Sequence, residues 1–146
     1  MILISHRGNI NGRIEEVENR PDYIDDTIRL GYDVEIDIWM VDGDFYLGHD
    51  KPQYLIEIDW INNRNHNLWV HCKNVEVLEF FSIFGQNINY FWHETDTVTI
   101  TNKGYLWTYP GKQPIKNSIA VMPEIHNDEI FQCVGICSDY IKNYKQ

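Results

Sequence analysis

The chain has 146 residues, with 12 Lys+Arg against 22 Asp+Glu, a net charge of −10 and 43% hydrophobic content. That apolar fraction is ordinary for one folded domain and argues against disorder. The acidic balance disfavours nucleic acid, because nonspecific attachment to a phosphate backbone needs clustered Lys and Arg.

No run approaches the roughly 18 apolar residues that cross a bilayer. Met1-Ile2-Leu3-Ile4-Ser5-His6 lacks the basic start and apolar stretch of a secretion signal. No transmembrane segment and a cytoplasmic location are therefore expected. Cys72, Cys133 and Cys137 are an odd number that fits neither a disulfide framework nor zinc knuckles, so the thiols are read as reduced. Residues 1–146 contain no linker or repeat and read as a single domain.

Taken in order, Ile2 to His6 is an apolar run stopped by Arg7-Gly8-Asn9, which suits a buried strand. A helix is predicted over residues 21–30, with Pro21 in its first turn, Ile24, Thr27 and Ile28 on one face, and Gly31 ending it. From Asp33 to Trp39 the residues alternate, with Val34, Ile36 and Ile38 on one face and Asp33, Glu35, Asp37 and Trp39 on the other. Asp42-Gly43 is a turn signal, and Phe45 to His49 returns as a short strand. Tyr54, Leu55, Ile58 and Ile61 suit a helix of about two turns. Leu68 to Lys73 reads as another strand, and Val75 to Phe84, apolar nearly all round and closed by Gly85, as a buried helix. Beyond residue 86 only short strand candidates remain, at Asn89–His93, Tyr105–Tyr109, Ile119–Met122 and Val134–Cys137.

Strands alternating with helices predict an α/β class with parallel pairing through right-handed crossovers. A complete eight-fold barrel takes about 250 residues. The expectation is therefore a reduced (β/α) TIM-type barrel with shortened or missing helices in its second half. Strand faces left uncovered there would favour a homo-oligomer.

A period of two places Glu35 and Asp37 on one face, and likewise His71 and Lys73 on another strand. In a half-exposed antiparallel sheet such alternation means only a solvated face. Inside a parallel barrel it is costly unless the charges are paired or bound to a metal, and two carboxylates invite a hard divalent cation. His6 ends the first strand and His49 the return strand, so two imidazoles flank the carboxylate pair.

These residues resemble a family. His6-Arg7-Gly8, Glu18-Asn19, Gly31-Tyr32-Asp33-Val34-Glu35-Ile36-Asp37, Asp42-Gly43 and Gly48-His49-Asp50 are similar, in order and approximate spacing, to the glycerophosphodiester phosphodiesterase family. Only the first half of the chain is covered strongly; His71-x-Lys73 and Gly135 to Asp139 match more weakly. The resemblance implies a metal-dependent hydrolase of a small phosphodiester. In it His6 and His49 are the acid/base pair, Glu35 and Asp37 hold the metal, and Arg7 and Lys73 contact the phosphate. A cation with Arg and Lys donors would stabilise the charge that grows on a diester in its transition state, while imidazole suits both proton transfers.

The family usually has Glu or Asp where this chain has His71. As third ligand, a neutral imidazole would hold Mg²⁺ or Ca²⁺ less tightly and admit Mn²⁺ or Zn²⁺. Glu124 is a candidate to restore the missing carboxylate, balanced by its reading as an ordinary loop residue. Trp39, and Trp107 with Tyr109, are candidates for an aromatic substrate wall, with core packing favoured over that role. His93, Glu94 and Asp96 are candidates for reading a substrate hydroxyl, with a surface loop favoured. Cleavage through a neighbouring substrate hydroxyl to a cyclic phosphate, and a barrel that binds a phosphate ligand or partner without turnover, stand as alternatives.

Overall fold

The computed structural model describes residues 1–146. Its centre is a ten-stranded mixed sheet curled into a half-barrel. In chain order the elements are β1 (Ile2–His6), α1 (Pro21–Arg29), β2 (Asp33–Val41), β3 (Asp44–Leu47), β4 (Tyr54–Ile56), α2 (Ile58–Asn62), β5 (Leu68–Cys72), α3 (Val75–Phe84), β6 (Asn89–Phe91), β7 (Val98–Ile100), β8 (Leu106–Thr108), β9 (Ser118–Val121) and β10 (Gly135–Ser138). Short 3-10 turns follow at Pro123–Ile125 and Ile141–Tyr144. Parallel pairing runs in the order β6-β5-β2-β1-β10-β9-β8. Strands β3 and β4 add antiparallel to the far half of β2, and β7 adds antiparallel to β8.

The expected TIM-type barrel does not form. Helices fail to alternate with strands, and none of the three α-helices lies beyond Phe84. The physical reason is local. Residues 109–117, which join the parallel strands β8 and β9, contain Pro110, Gly111 and Pro114, and such a segment does not propagate a helix. At Asp42-Gly43 both residues have positive φ, 51° and 85°, and the chain folds straight back as a hairpin instead of crossing over.

Three further expectations are corrected. The helix predicted from Tyr54 to Ile61 divides: Tyr54–Ile56 pairs with β3, and only Ile58–Asn62 is helical. Helix α3 has the predicted bounds but not the predicted all-round burial. Val77 and Phe81 are buried, whereas Val75, Ile83 and Phe84 are exposed because nothing packs on the outer face. Strand β7 has no counterpart in the sequence reading. No helix is long and apolar enough to cross a membrane.

The pleat decides where each side chain goes. On β2, Val34, Ile36 and Ile38 face outward and are fully buried, together with Ile24, Leu68, Val70, Cys72, Val77 and Phe81. Burying one such aliphatic side chain stabilises by about 1.5–3 kcal/mol, so this layer anchors α1 and α3 to the sheet. Inside the curl, Ile4, Trp69, Phe91, Trp107, Ile119, Val121 and Cys137 pack on one another. Trp107 lies 4.6 Å from Phe91 and 6.0 Å from Trp69, centroid to centroid, and these rings close the bottom of the curl. Above them, towards the carboxyl ends of the parallel strands, the inward residues turn polar.

Asn74 joins the two layers. Its side chain accepts from the Val77 and Met40 N–H groups and donates to the Met40 carbonyl, capping α3 while extending the edge of β2. Asn74→Ala is expected to lower stability by about 2 kcal/mol, near the upper end for loss of a cap. Urea unfolding checks this, and a loss under about 0.5 kcal/mol would mean that water replaces all three bonds.

Candidate active site

The polar end of the curl encloses a cavity of about 480 Å³ lined on one side by His6, Arg7, Glu35, His49, His71 and Lys73. β1 ends at His6 and leads to Arg7, β3 leads to His49, and β5 gives His71 near its end and leads to Lys73, while Glu35 and the adjoining Asp37 lie within β2, the third and fifth of its nine residues. The register places His6 beside Glu35 and Asp37 beside His71.

Asp37 is the hub. It is wholly buried. Asn19, held at a φ of 61°, donates to Asp37 Oδ2 at 2.9 Å and accepts from the Asp37 N–H at 2.9 Å. Arg7 Nε stands 3.0 Å and His49 Nδ1 3.3 Å from Oδ2, while His71 Nδ1 stands 3.2 Å and Lys73 Nζ 3.8 Å from Oδ1. Burial alone would raise the Asp37 carboxyl, but His49, His71 and Arg7 outweigh it and hold Asp37 well below the usual carboxylate range. Glu35 goes the other way. Burial and the charge of Asp37 push it well above its ordinary value, and Arg7 and Lys73 only partly offset them. Burial also opposes the charge on Arg7, yet Asp37, Glu35 and Glu18 leave its pKa raised.

His71 carries the information about a cation. One of its ring nitrogens, Nε2, lies 2.8 Å from the backbone carbonyl of His93, which can only accept. The Nε2 proton is therefore fixed. Without a cation a proton on Nδ1 faces Asp37 Oδ1, which is how His71 helps to hold Asp37 down; once that proton is lost, Nδ1 offers a lone pair beside Asp37 Oδ1, with Glu35 Oε1 3.8 Å away. Three electron-rich atoms then converge, one each from Glu35, Asp37 and His71, all within 4.8 Å of one another. Glu35 Oε2 and Asp37 Oδ1 are buried without a hydrogen-bond partner. Two oxygens and a nitrogen in this arrangement fit a divalent cation.

His6 is oriented by a residue to which the sequence reading gives no role. Asp139, just past β10, lies 2.8 Å from His6 Nδ1 and accepts from Asn9 at 2.8 Å. Burial opposes ionisation of Asp139, but His6 and Asn9 prevail and its pKa is lowered. An ionised Asp139 accepts a hydrogen bond from the His6 Nδ1–H, which leaves His6 Nε2 directed at the cavity, 3.9 Å from Glu35 Oε2. Continuing the period of two from Cys137 would have found it.

The other predicted residues are distributed unevenly. His49 lines both this cavity and a smaller polar one of about 190 Å³, and its Nε2 is 3.3 Å from an Arg7 nitrogen. Trp107 lines the cavity wall with Tyr109, Trp92 and Pro110. Trp39 does not; its indole N–H is bound to the Gly48 carbonyl at 2.6 Å. Glu124 is also elsewhere, accepting from Ser138 and Tyr144, so it supplies no third carboxylate. His93, a candidate for reading a substrate hydroxyl with a surface loop favoured, is buried in the wall, and burial together with His71 lowers its pKa. Comparisons with protein-family models, with curated proteins and with solved structures find no match.

The folded chain holds the Glu35 proton more tightly than the unfolded chain does. Glu35 therefore contributes its full stability below its ordinary value of 4.5 and loses it as pH rises through the raised value. Glu35→Gln keeps the neutral form throughout. At pH 8 in EDTA the variant is expected to melt above the wild type. With Mg²⁺ or Mn²⁺ at a hundred times Kd, the wild type should gain about 2.7 kcal/mol, roughly 5–10 °C in Tm, and the variant far less. Equal gains in both proteins would remove Glu35 from the cation site.

Proposed function

We propose that the chain is a metal-dependent phosphodiesterase acting on a small diester of the glycerophosphodiester kind. The observation that carries this reading is the placing of two imidazoles around one buried carboxylate pair, with a guanidinium and an ammonium alongside. His6 lies 3.9 Å from Glu35, His49 lies 3.3 Å from Asp37, and Arg7 and Lys73 both approach Asp37. The resemblance of the first 50 residues to the glycerophosphodiester phosphodiesterase family points the same way.

In this reading Glu35, Asp37 and His71 hold a divalent cation. When bound, it polarises a phosphoryl oxygen and offsets the charge that grows there. Arg7 and Lys73 supply donors to the remaining oxygens. His6, with Nδ1 tied to Asp139, uses Nε2 to take the proton of the attacking hydroxyl, and Asp139 then stabilises the imidazolium. A P–O bond forms to that hydroxyl oxygen while the bond to the alcohol breaks. His49 Nε2 accepts from Arg7 in the free chain; with Arg7 drawn onto the phosphate and that nitrogen protonated, His49 donates from Nε2 the proton that the departing alkoxide needs. Water as nucleophile yields a phosphomonoester and an alcohol; a neighbouring hydroxyl of the substrate yields a cyclic phosphate.

Purified protein assayed on bis-p-nitrophenyl phosphate and glycerophosphodiesters, with Mg²⁺, Mn²⁺, Ca²⁺ and EDTA in turn, is expected to turn over only with a cation. His6→Ala and His49→Ala should each lower kcat by roughly 10²- to 10⁴-fold, the usual worth of one acid/base group. Asp139→Asn, which keeps the shape but loses the charge, should lower kcat with little change in KM. ³¹P NMR of the product separates hydrolysis from cyclisation. Inactivity under every cation, with the cation still bound, would leave a phosphate-binding protein in place of an enzyme.

A further inference from the structure

Away from the charged cluster the cavity lining suits a ring better than a glycerol chain. Glycerol needs several hydrogen-bonding partners, whereas Trp92, Trp107, Tyr109, Pro110 and Met122 present mostly flat or apolar surface, with Glu94 the one carboxylate among them. The Tyr109 hydroxyl is already committed to the Glu94 carbonyl. Within this surface sits His93, only 6% exposed. Neither of its ring nitrogens has a hydrogen-bond partner, although both are buried. The nearest carboxylate oxygen, on the exposed Asp96, stands 3.6 Å from Nδ1, beyond a hydrogen bond. A buried imidazole with two unsatisfied nitrogens is costly, and a turn of the ring that brings one nitrogen to a group filling the cavity would relieve it.

The position of His93 says which part of a ligand it meets. Its backbone carbonyl holds His71 at 2.8 Å, and the two rings lie 6.4 Å apart. A phosphate resting against His71, Arg7 and Lys73 would therefore place its esterified group next to His93. The imidazole stands edge-on to Tyr109, with centroids 4.0 Å apart.

We propose that His93 reads the alcohol part of the substrate, and that this alcohol carries a flat ring with a hydrogen-bonding edge, as in an aryl or heteroaryl phosphodiester. The inference rests on the phosphodiesterase reading and narrows its substrate. The ring lies along the Trp107 and Tyr109 surface, and its polar edge satisfies His93.

Calorimetric titration of the full chain with Mn²⁺ present tests this with inorganic phosphate, glycerol 3-phosphate, phenyl phosphate and 4-hydroxyphenyl phosphate. Wild-type protein is expected to bind both aryl phosphates at least about tenfold more tightly than glycerol 3-phosphate. The extra hydroxyl should add roughly three- to tenfold, the worth of one hydrogen bond. His93→Phe keeps the flat ring against Tyr109 and removes the unsatisfied nitrogens, so its Tm should equal or exceed that of the wild type, while the gain from the hydroxyl disappears. His93→Gln should restore part of it. Equal binding of glycerol 3-phosphate, or a hydroxyl advantage that survives in His93→Phe, overturns the inference while leaving the phosphodiesterase reading intact. Failure of inorganic phosphate and all three esters to bind would overturn both.

Discussion

Two carboxylates two residues apart on one strand cannot both be charged in a dry interior without help, and that constraint organises the polar end of this protein. Asp37 keeps its charge because four cationic or hydrogen-bonding side chains from three other segments, besides Asn19, converge on it. Glu35 lacks such support and is pushed towards its neutral form. Near the strand ends the inward positions of β1, β2 and β5 hold polar groups that bear on this imbalance.

The fold meets the constraint with few helices. What the site needs is a set of parallel strands whose carboxyl ends point the same way, curved enough for their inward residues to meet. β1, β2, β5, β9 and β10 provide that with the helices α1, α2 and α3 packed on one side and short turns and loops elsewhere. The hairpin of β2, β3 and β4 has a separate use: by turning back at Asp42-Gly43 it returns the chain to the rim, where Gly48 pairs with Asp37 and His49 follows.

The sequence makes some of this legible and hides the rest, for identifiable reasons. Alternation along Asp33 to Trp39 is strict, so the inward face of Glu35 and Asp37 can be read directly. The same logic takes Trp39 too far, because beyond Ile38 the strand leaves the curl to pair with β3. Tyr54 to Ile61 fits a helical period and a strand period equally well over its short length, and pairing with β3 decides the first half. The class assignment failed because α1 and α3 make the first half resemble an alternating pattern, while no periodic signal marks the loops that replace helices later. Asp139 lies one residue past β10, where the period of two is no longer applied though it continues from Cys137. His93 closes the strand candidate Asn89–His93 and is named for a substrate hydroxyl; what the sequence hides is its burial in the cavity wall. Glu124 follows a strand on the same rim, but the left-handed backbone at Met122 turns the chain there and Glu124 goes to Ser138 and Tyr144.

The aromatic rings under the site have a consequence for orientation. With Trp69, Phe91 and Trp107 packed on one another beneath the polar residues, a molecule in the cavity meets rings on one side and charges on the other. Its neutral part settles against the first and its anionic part against the second, so the layering of the curl gives an amphipathic guest one preferred heading.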